Sequence, residues 1–218
     1  MTRILCYGDS NTWGASGDEP SPGVRHPPDV RWPCVMADQL DAELVEEGLG
    51  GRTTDIADPT HPEIGGAGLD GAAYLPACLA SHLPLDLVVV MLGTNDLKAM
   101  FARSPLRIAL GAGRLLDIVQ GIGGGIGTGY ASPRVLLVCP PRLAAMQGFA
   151  EMFAGGHAKS EALPPLYAAL AGASGAGFLD ANAVIATDGA DGLHLTAATQ
   201  RALGHGVAAA VRAGNSLG

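Results

Sequence analysis

The sequence predicts an α/β fold built on a parallel sheet, and three observations predict it. Apolar runs of strand length alternate with longer segments of helical periodicity, the order in which parallel strands and crossover helices follow one another. The run Leu85-Asp86-Leu87-Val88-Val89-Val90-Met91-Leu92 is rich in β-branched residues and bounded by Pro84 and Gly93, which makes it the clearest strand of the chain. Finally, the 218 residues show no composition shift and no internal repeat. A chain of that length is expected to form a single domain, residues 1–218, whose core needs no disulfide or metal.

The elements are expected in the following order. Ile4 to Tyr7 reads as a buried strand, and Gly8-Asp9-Ser10 turns the chain directly after it. A helix is predicted from Pro33 to Asp41, with the proline in its first turn, then a short strand around Leu44-Val45. A loop rich in Gly, Thr, Asp and Pro runs from Gly48 to about Gly66, and Leu69 to Leu83 reads as a helix leading into the central strand. A further helix is expected from about Pro105 to Gln120, and a central strand from Arg134 to Cys139 that Pro140-Pro141 stops. Between these two, the glycines of Gly121 to Gly129 never reach G-x-G-x-x-G spacing and follow a helix instead of a strand, so the segment reads as a connection and not a nucleotide loop. Leu143 to Ala158 reads as an irregular insertion exposing Met146, Phe149, Met152 and Phe153, suited to a lid, a channel wall or a contact surface. A helix over Glu161 to Ala173, a strand at Phe178-Leu179 and a last helix from Thr196 to Arg212, with Thr196 as N-cap, complete the chain.

Charge and composition exclude whole classes of partner. With 13 Lys+Arg against 21 Asp+Glu the formal charge is −8, and the cations are scattered singly, so nothing provides the footprint of a phosphate backbone and no nucleic-acid partner is expected. No apolar run reaches the roughly 18 residues of a membrane span, and the start, Met1 to Tyr7, is too short for a signal sequence. Cys6, Cys34, Cys78 and Cys139 form no C-x-x-C pair and lie in largely apolar stretches; four reduced thiols and a cytoplasmic location are expected. Charged residues make up only 16% while hydrophobic ones make up 48%, so the surface is short of charge. Burial of part of it in an oligomer explains that, and so does codon bias in a chain whose only lysines are Lys98 and Lys159.

Three short blocks carry chemistry. Strand, Gly8-Asp9-Ser10 and turn put a serine hydroxyl at the carboxyl end of a parallel strand, where α/β folds keep their sites. Gly93-Thr94-Asn95-Asp96 follows the clearest strand; Asn95 suits a turn cap, and its carboxamide also suits donation to an oxyanion. In Asp191-Gly192-Leu193-His194, an aspartate three residues before a histidine across a glycine turn can fix the imidazole tautomer and stabilise the imidazolium. Asp188, six residues before His194, would need a wider loop, so Asp191 is the expected partner. Asp9 and Asp96 are expected to brace their loops by accepting backbone N–H bonds. His26, His61, His82, His157 and His205 show no ligand spacing such as H-E-x-x-H, and neither a metal nor a cofactor is expected. Trp13, Trp32 and Phe153 suit either a channel lining or core packing.

Together these blocks resemble, in content and order, the SGNH (GDSL) hydrolase family, and the resemblance spans Ile4 to Arg212. The family places an oxyanion-facing glycine between the first two blocks, and Gly51 of Glu47-Gly48-Leu49-Gly50-Gly51-Arg52-Thr53-Thr54 matches it. Further segments are similar to the arylesterase and acyltransferase (perhydrolase) branch: Gly8-Asp9-Ser10-Asn11-Thr12-Trp13-Gly14, Pro28-Asp29-Val30-Arg31-Trp32, Glu46-Glu47-Gly48-Leu49, Tyr74-Leu75-Pro76 and Asp188 to His194. The branch usually has an aliphatic residue where this chain has Asn11.

The resemblance implies a flavodoxin-like three-layer α/β/α sandwich and a serine esterase acting on short-chain aryl esters through an acyl-enzyme, with transfer to alcohols or peroxide as well as to water. It implies Ser10 as nucleophile, His194 as base and Asp191 as its partner, with the Ser10 and Gly51 N–H groups and the Asn95 side chain as oxyanion hole. Asn11 and Trp13 are the expected substrate-binding residues. The partners implied are small ester and alcohol substrates and further copies of the chain, in a homo-oligomer larger than a dimer. Two alternatives stay open on the sequence: a carbohydrate or lipid esterase of the same fold, and a non-catalytic flavodoxin-like module in which the Ser10 loop merely holds an anion.

Overall fold

The computed structural model describes residues 1–18, 23–146 and 148–215. Five parallel strands, β1 (Arg3–Gly8), β2 (Glu43–Gly48), β3 (Leu87–Met91), β4 (Arg134–Cys139) and β5 (Gly177–Asp180), form one sheet in the order β2-β1-β3-β4-β5. Among the described residues seven α-helices surround it: α1 (Ser10–Trp13), α2 (Trp32–Leu40), α3 (Gly71–His82), α4 (Pro105–Gly121), α5 (Gly156–Glu161), α6 (Leu163–Ser174) and α7 (Ala197–Asn215).

The sandwich follows from the period of two in the strands. Leu5, Tyr7, Val88, Val90, Val135 and Leu137 face one way and pack with Leu75 and Leu79 of α3, Ile108 and Leu115 of α4, and Tyr167 of α6. Their neighbours Ile4, Cys6, Leu87, Val89, Leu136 and Val138 face the other way, onto Trp32 and Met36 of α2 and Leu203 and Val207 of α7. Strands covered on both faces must be apolar at every position, which is why β3 reads as an unbroken run. Burying each such side chain stabilises the fold by about 1.5–3 kcal/mol.

Helix ends obey local chemistry more than hydrophobic pattern. The Asp70 carboxylate accepts from the Ala73 N–H at 3.1 Å and starts α3 two residues later than the apolar pattern predicts. Ser104 caps α4 ahead of Pro105, and the Thr196 hydroxyl accepts from the Thr199 N–H at 3.4 Å at the start of α7. Asp41, at φ 48°, closes α2 in the left-handed region. The helix expected over Glu161 to Ala173 is α6, which starts at Leu163 because Pro164 and Pro165 fit only the first turn of a helix, and the short α5 precedes it at the end of the expected insertion.

The insertion also differs from expectation. Within Leu143 to Ala158, of which Gln147 lies outside the described residues, Leu143 and Phe153 are buried in the core and Met146 and Phe149 are partly buried against it. Of the four apolar groups expected to be exposed, Met152 alone is. Among the described residues no helix is long and apolar enough to cross a membrane. All four cysteines are free, with Cys6, Cys78 and Cys139 buried.

Candidate active site

Strand order locates the site. The connection from β1 to β2 runs over one face of the sheet and that from β2 to β3 over the other, so a crevice opens at the carboxyl ends of the strands beside β1. Ser10, after β1, and Asn95, after β3, both lie there.

Ser10 is held by tight local packing. Asp9 is the N-cap of α1, its carboxylate accepting from the Asn11 N–H at 3.0 Å. Gly8 admits no side chain, since a Cβ there would sit 2.0 Å from Thr12 Oγ1 and 2.8 Å from the Met91 carbonyl oxygen. The serine loop can therefore press against both α1 and β3. Burial pushes the Asp9 carboxyl up to about 6, against the lowering effect of the Asn11 N–H, the His194 charge and the Thr94 hydroxyl.

The histidine arrives from the far end of the chain, in the loop before α7. Gly192 turns that loop at φ 74°, and a Cβ on it would meet the Ala145 carbonyl at 2.5 Å. His194 Nε2 stands 2.9 Å from Ser10 Oγ, and His194 Nδ1 stands 2.6 Å from Asp191 Oδ2. The other carboxylate oxygen, Asp191 Oδ1, accepts from the Leu193 N–H at 2.8 Å and the His194 N–H at 2.9 Å. Burial alone would raise the Asp191 pKa, but the His194 ring and the two N–H donors outweigh it and hold the carboxyl at about 2. A carboxylate on Nδ1 holds the Nδ1 proton in place and leaves Nε2 as an acceptor toward Ser10. Asp188 faces elsewhere: it accepts from the Thr196 N–H and from the hydroxyls of Thr196 and Thr199 and ties down the start of α7.

The expected oxyanion residues converge from two loops. Asn95 is buried, and its amide donates to the Arg52 carbonyl at 3.1 Å, which leaves its second amide hydrogen uncommitted. Gly51 precedes Arg52, its N–H has no hydrogen-bond partner among the described residues, and a Cβ on Gly50 would lie 3.9 Å from Ser10 Cβ. The two loops are locked together by Asp96, which accepts from the Thr54 N–H at 2.9 Å, the Thr54 hydroxyl at 2.6 Å and Arg103 at 2.7 Å, with Arg103 also 2.6 Å from Asp55.

Arg52 and Arg103 escaped the sequence reading. Arg52 is buried, donates to the Gly8 carbonyl at 3.0 Å and to the Glu47 carbonyl, and lies 4.2 Å over the Tyr7 ring. It thus joins the serine strand to the Gly51 loop. The available signal was the scarcity of cations: in a chain with 13 Lys+Arg, one directly after the Gly50-Gly51 pair stands out. Another such residue is His61, whose Nε2 would lie 3.4 Å from a Cβ on Gly51 and which therefore stands at the rim of the site.

The two expected substrate contacts, Asn11 and Trp13, both lie on α1 beside Ser10. Asn11 is 1% exposed, and its Nδ2 donates to the Leu193 carbonyl at 3.2 Å. It ties the serine loop to the histidine loop, and Gln200 donates to its backbone carbonyl at 3.0 Å. Trp13 is half-buried, with Arg25 5.2 Å over its ring. Trp32 and Phe153 are core residues.

The profile of the GDSL-like lipase/acylhydrolase family matches residues 6–202. The chain belongs to this family. It is a carboxylic ester hydrolase of the SGNH fold, and a non-catalytic module is thereby set aside. Among solved structures, the aryl esterase of M. smegmatis is 52% identical over 98% of this chain and 99% of that one, with a TM-score of 0.92. A carbohydrate acetylesterase from Sinorhizobium meliloti is 46% identical over 98% and 99%, with a TM-score of 0.93. A putative arylesterase from Agrobacterium tumefaciens is 39% identical over 98% and 99%, with a TM-score of 0.85. None of the curated proteins matches the chain.

Proposed function

We propose that this member of the family cleaves short-chain aryl and acetyl esters through an acyl-enzyme on Ser10. The observation that carries the reading is the unbroken line Asp191 Oδ2, His194 Nδ1, His194 Nε2, Ser10 Oγ, at 2.6 and 2.9 Å. Ser10 Oγ attacks the ester carbonyl and its proton passes to His194 Nε2; the Asp191 carboxylate stabilises the imidazolium. The N–H groups of Ser10 and Gly51 and the free amide hydrogen of Asn95 meet the developing oxyanion, where one such donor is worth about 3–4 kcal/mol. His194 then protonates the departing alcohol or phenol, and a second nucleophile, activated by the same imidazole, releases the acyl group.

That second nucleophile includes alcohols and peroxide as well as water. Support comes from an apolar groove lined by Leu143, Ala144, Ala145, Met146, Ala150 and Phe153. The Ala144 N–H donates to the Gly192 carbonyl at 3.0 Å, so the groove borders the loop that carries Asp191 and His194. Each methylene of an alcohol buried in such a groove contributes roughly 0.8 kcal/mol, which partly offsets the concentration of water. The charge-poor composition supports assembly into a homo-oligomer larger than a dimer, and the four free cysteines fit a reducing, cytoplasmic compartment. The whole chain, residues 1–218, acts as one domain in this reading. A second reading, an acetylesterase acting on carbohydrate, is favoured by the S. meliloti neighbour.

The test supplies an aryl acetate in buffer with and without a short primary alcohol and measures new ester against acetate at early times. Both products are expected, in a ratio that rises with alcohol. Acetate alone at every alcohol concentration would remove the transferase half of the proposal, and faster deacetylation of an acetylated sugar than of the aryl ester would favour the carbohydrate reading.

A further inference from the structure

We propose that Glu47, Cys78 and His82 form a binding site for a divalent cation of borderline softness, zinc or cobalt, that joins the edge strand β2 to helix α3. Cys78 and His82 are four residues apart on α3, so both project from one face of the helix, one turn apart. Glu47 reaches them from β2, at the edge of the sheet. One ligand atom from each of the three lies within 4.8 Å of the other two.

The spacing suits a cation. His82 Nε2 and Glu47 Oε1 are 3.1 Å apart, and two ligands bound tetrahedrally at about 2.0–2.1 Å from zinc stand roughly 3.3 Å apart. The Cys78 thiol lies within 4.8 Å of both. Cys78 is buried at the base of the cluster, while the side chains of Glu47 and His82 are 18% and 30% exposed, which leaves one side open for a cation to enter and for a water to take the fourth position. Glu47 Oε2 is 3.9 Å from Arg52 Nη2, so the guanidinium orients one carboxylate oxygen and leaves Oε1 toward the cluster.

The donor set selects the metal. One thiolate, one imidazole and one carboxylate match the softness of zinc or cobalt and are wrong for magnesium or calcium, which demand oxygen cages. A thiolate and a carboxylate neutralise a divalent ion, and the thiol proton leaves to solvent as the metal–sulfur bond forms. The histidine spacing H-E-x-x-H could not reveal this set, because its members are a Cys-x-x-x-His pair on a helix and a glutamate 31 positions before the cysteine on a different element.

The experiment adds cobalt to the full-length chain after treatment with a chelator. Expected are one cobalt per chain, a thiolate-to-cobalt charge-transfer band in the near ultraviolet, and loss of that band when one equivalent of zinc is added. Cys78→Ala should abolish the band, while His194→Ala, at the esterase site, should leave it. His82→Gln, at a side chain 30% exposed, should leave Tm within a few degrees and weaken zinc binding by at least about tenfold in competition with a chromophoric chelator. Absence of the band, its survival in Cys78→Ala, or unchanged zinc affinity in His82→Gln would overturn the proposal.

Discussion

Asp191→Asn isolates one step of the proposed chemistry, and the structure sets its size. The carboxylate uses Oδ1 for two backbone donors, the Leu193 and His194 N–H groups, and Oδ2 for His194 Nδ1. An asparagine has only one oxygen. If it stays on the two N–H groups, the amide nitrogen faces the ring and donates to Nδ1, which drives the proton to Nε2 and removes the acceptor that Ser10 needs. If it flips, the ring keeps its tautomer but two partly buried N–H groups lose their acceptor. Each loss costs about 1–3 kcal/mol, so the productive arrangement lies roughly 2–6 kcal/mol above the unproductive one. At about 1.4 kcal/mol per power of ten, kcat should fall between about 30-fold and 10⁴-fold. Steady-state hydrolysis of an aryl acetate measures it, with thermal unfolding as control. Asp188→Asn, which loosens the Thr196 and Thr199 contacts, should lower Tm and leave kcat within a few-fold. A kcat loss below tenfold for Asp191→Asn, or a greater loss for Asp188→Asn, would refute the reasoning.

Other outcomes follow from the same structure. A serine-directed phosphonate should label Ser10 alone, and mass-spectrometric mapping to any other serine would mean the nucleophile is misassigned. Asn11→Ala should cost about 1–2 kcal/mol in urea unfolding, because the buried Leu193 carbonyl loses its donor; part of that is offset, since Asn11 Oδ1 itself is buried without a partner. Asp9 titrates at about 6 in the fold against 3.8 when unfolded, so its stabilising contribution is complete below pH 3.8 and lost as pH rises through 6. Asp9→Asn should therefore gain on the parent chain by up to about 3 kcal/mol between pH 4 and pH 7, and equal slopes of stability against pH for the two proteins would contradict it. Light scattering should give a particle larger than two chains, and a single 22.0 kDa species at micromolar concentration would end the oligomer proposal.

Much of this was legible in the chain because strands buried on both faces must be apolar throughout, and because turns at strand ends use a short alphabet of Gly, Asp, Ser and Asn. The alternation of strands and helices, β4 from Arg134 to Cys139, and the blocks holding Ser10, Asn95, Asp191 and His194 can all be read from local pattern. The starts of α3 and α6 could be read only once caps and prolines outweighed periodicity. Two kinds of fact needed the tertiary structure. One is burial: Phe153 and Asn11 look available in sequence, yet one completes the core and the other clasps the carbonyl of Leu193, 182 residues away. The other is long-range pairing of charge. Arg103 with Asp96 and Asp55, Lys98 with Asp58, and Arg52 beneath the Gly51 loop are ordinary charged residues in the sequence. They become the frame of the site only when the parallel sheet, in the order β2-β1-β3, sets the loops after β1, β2 and β3 side by side.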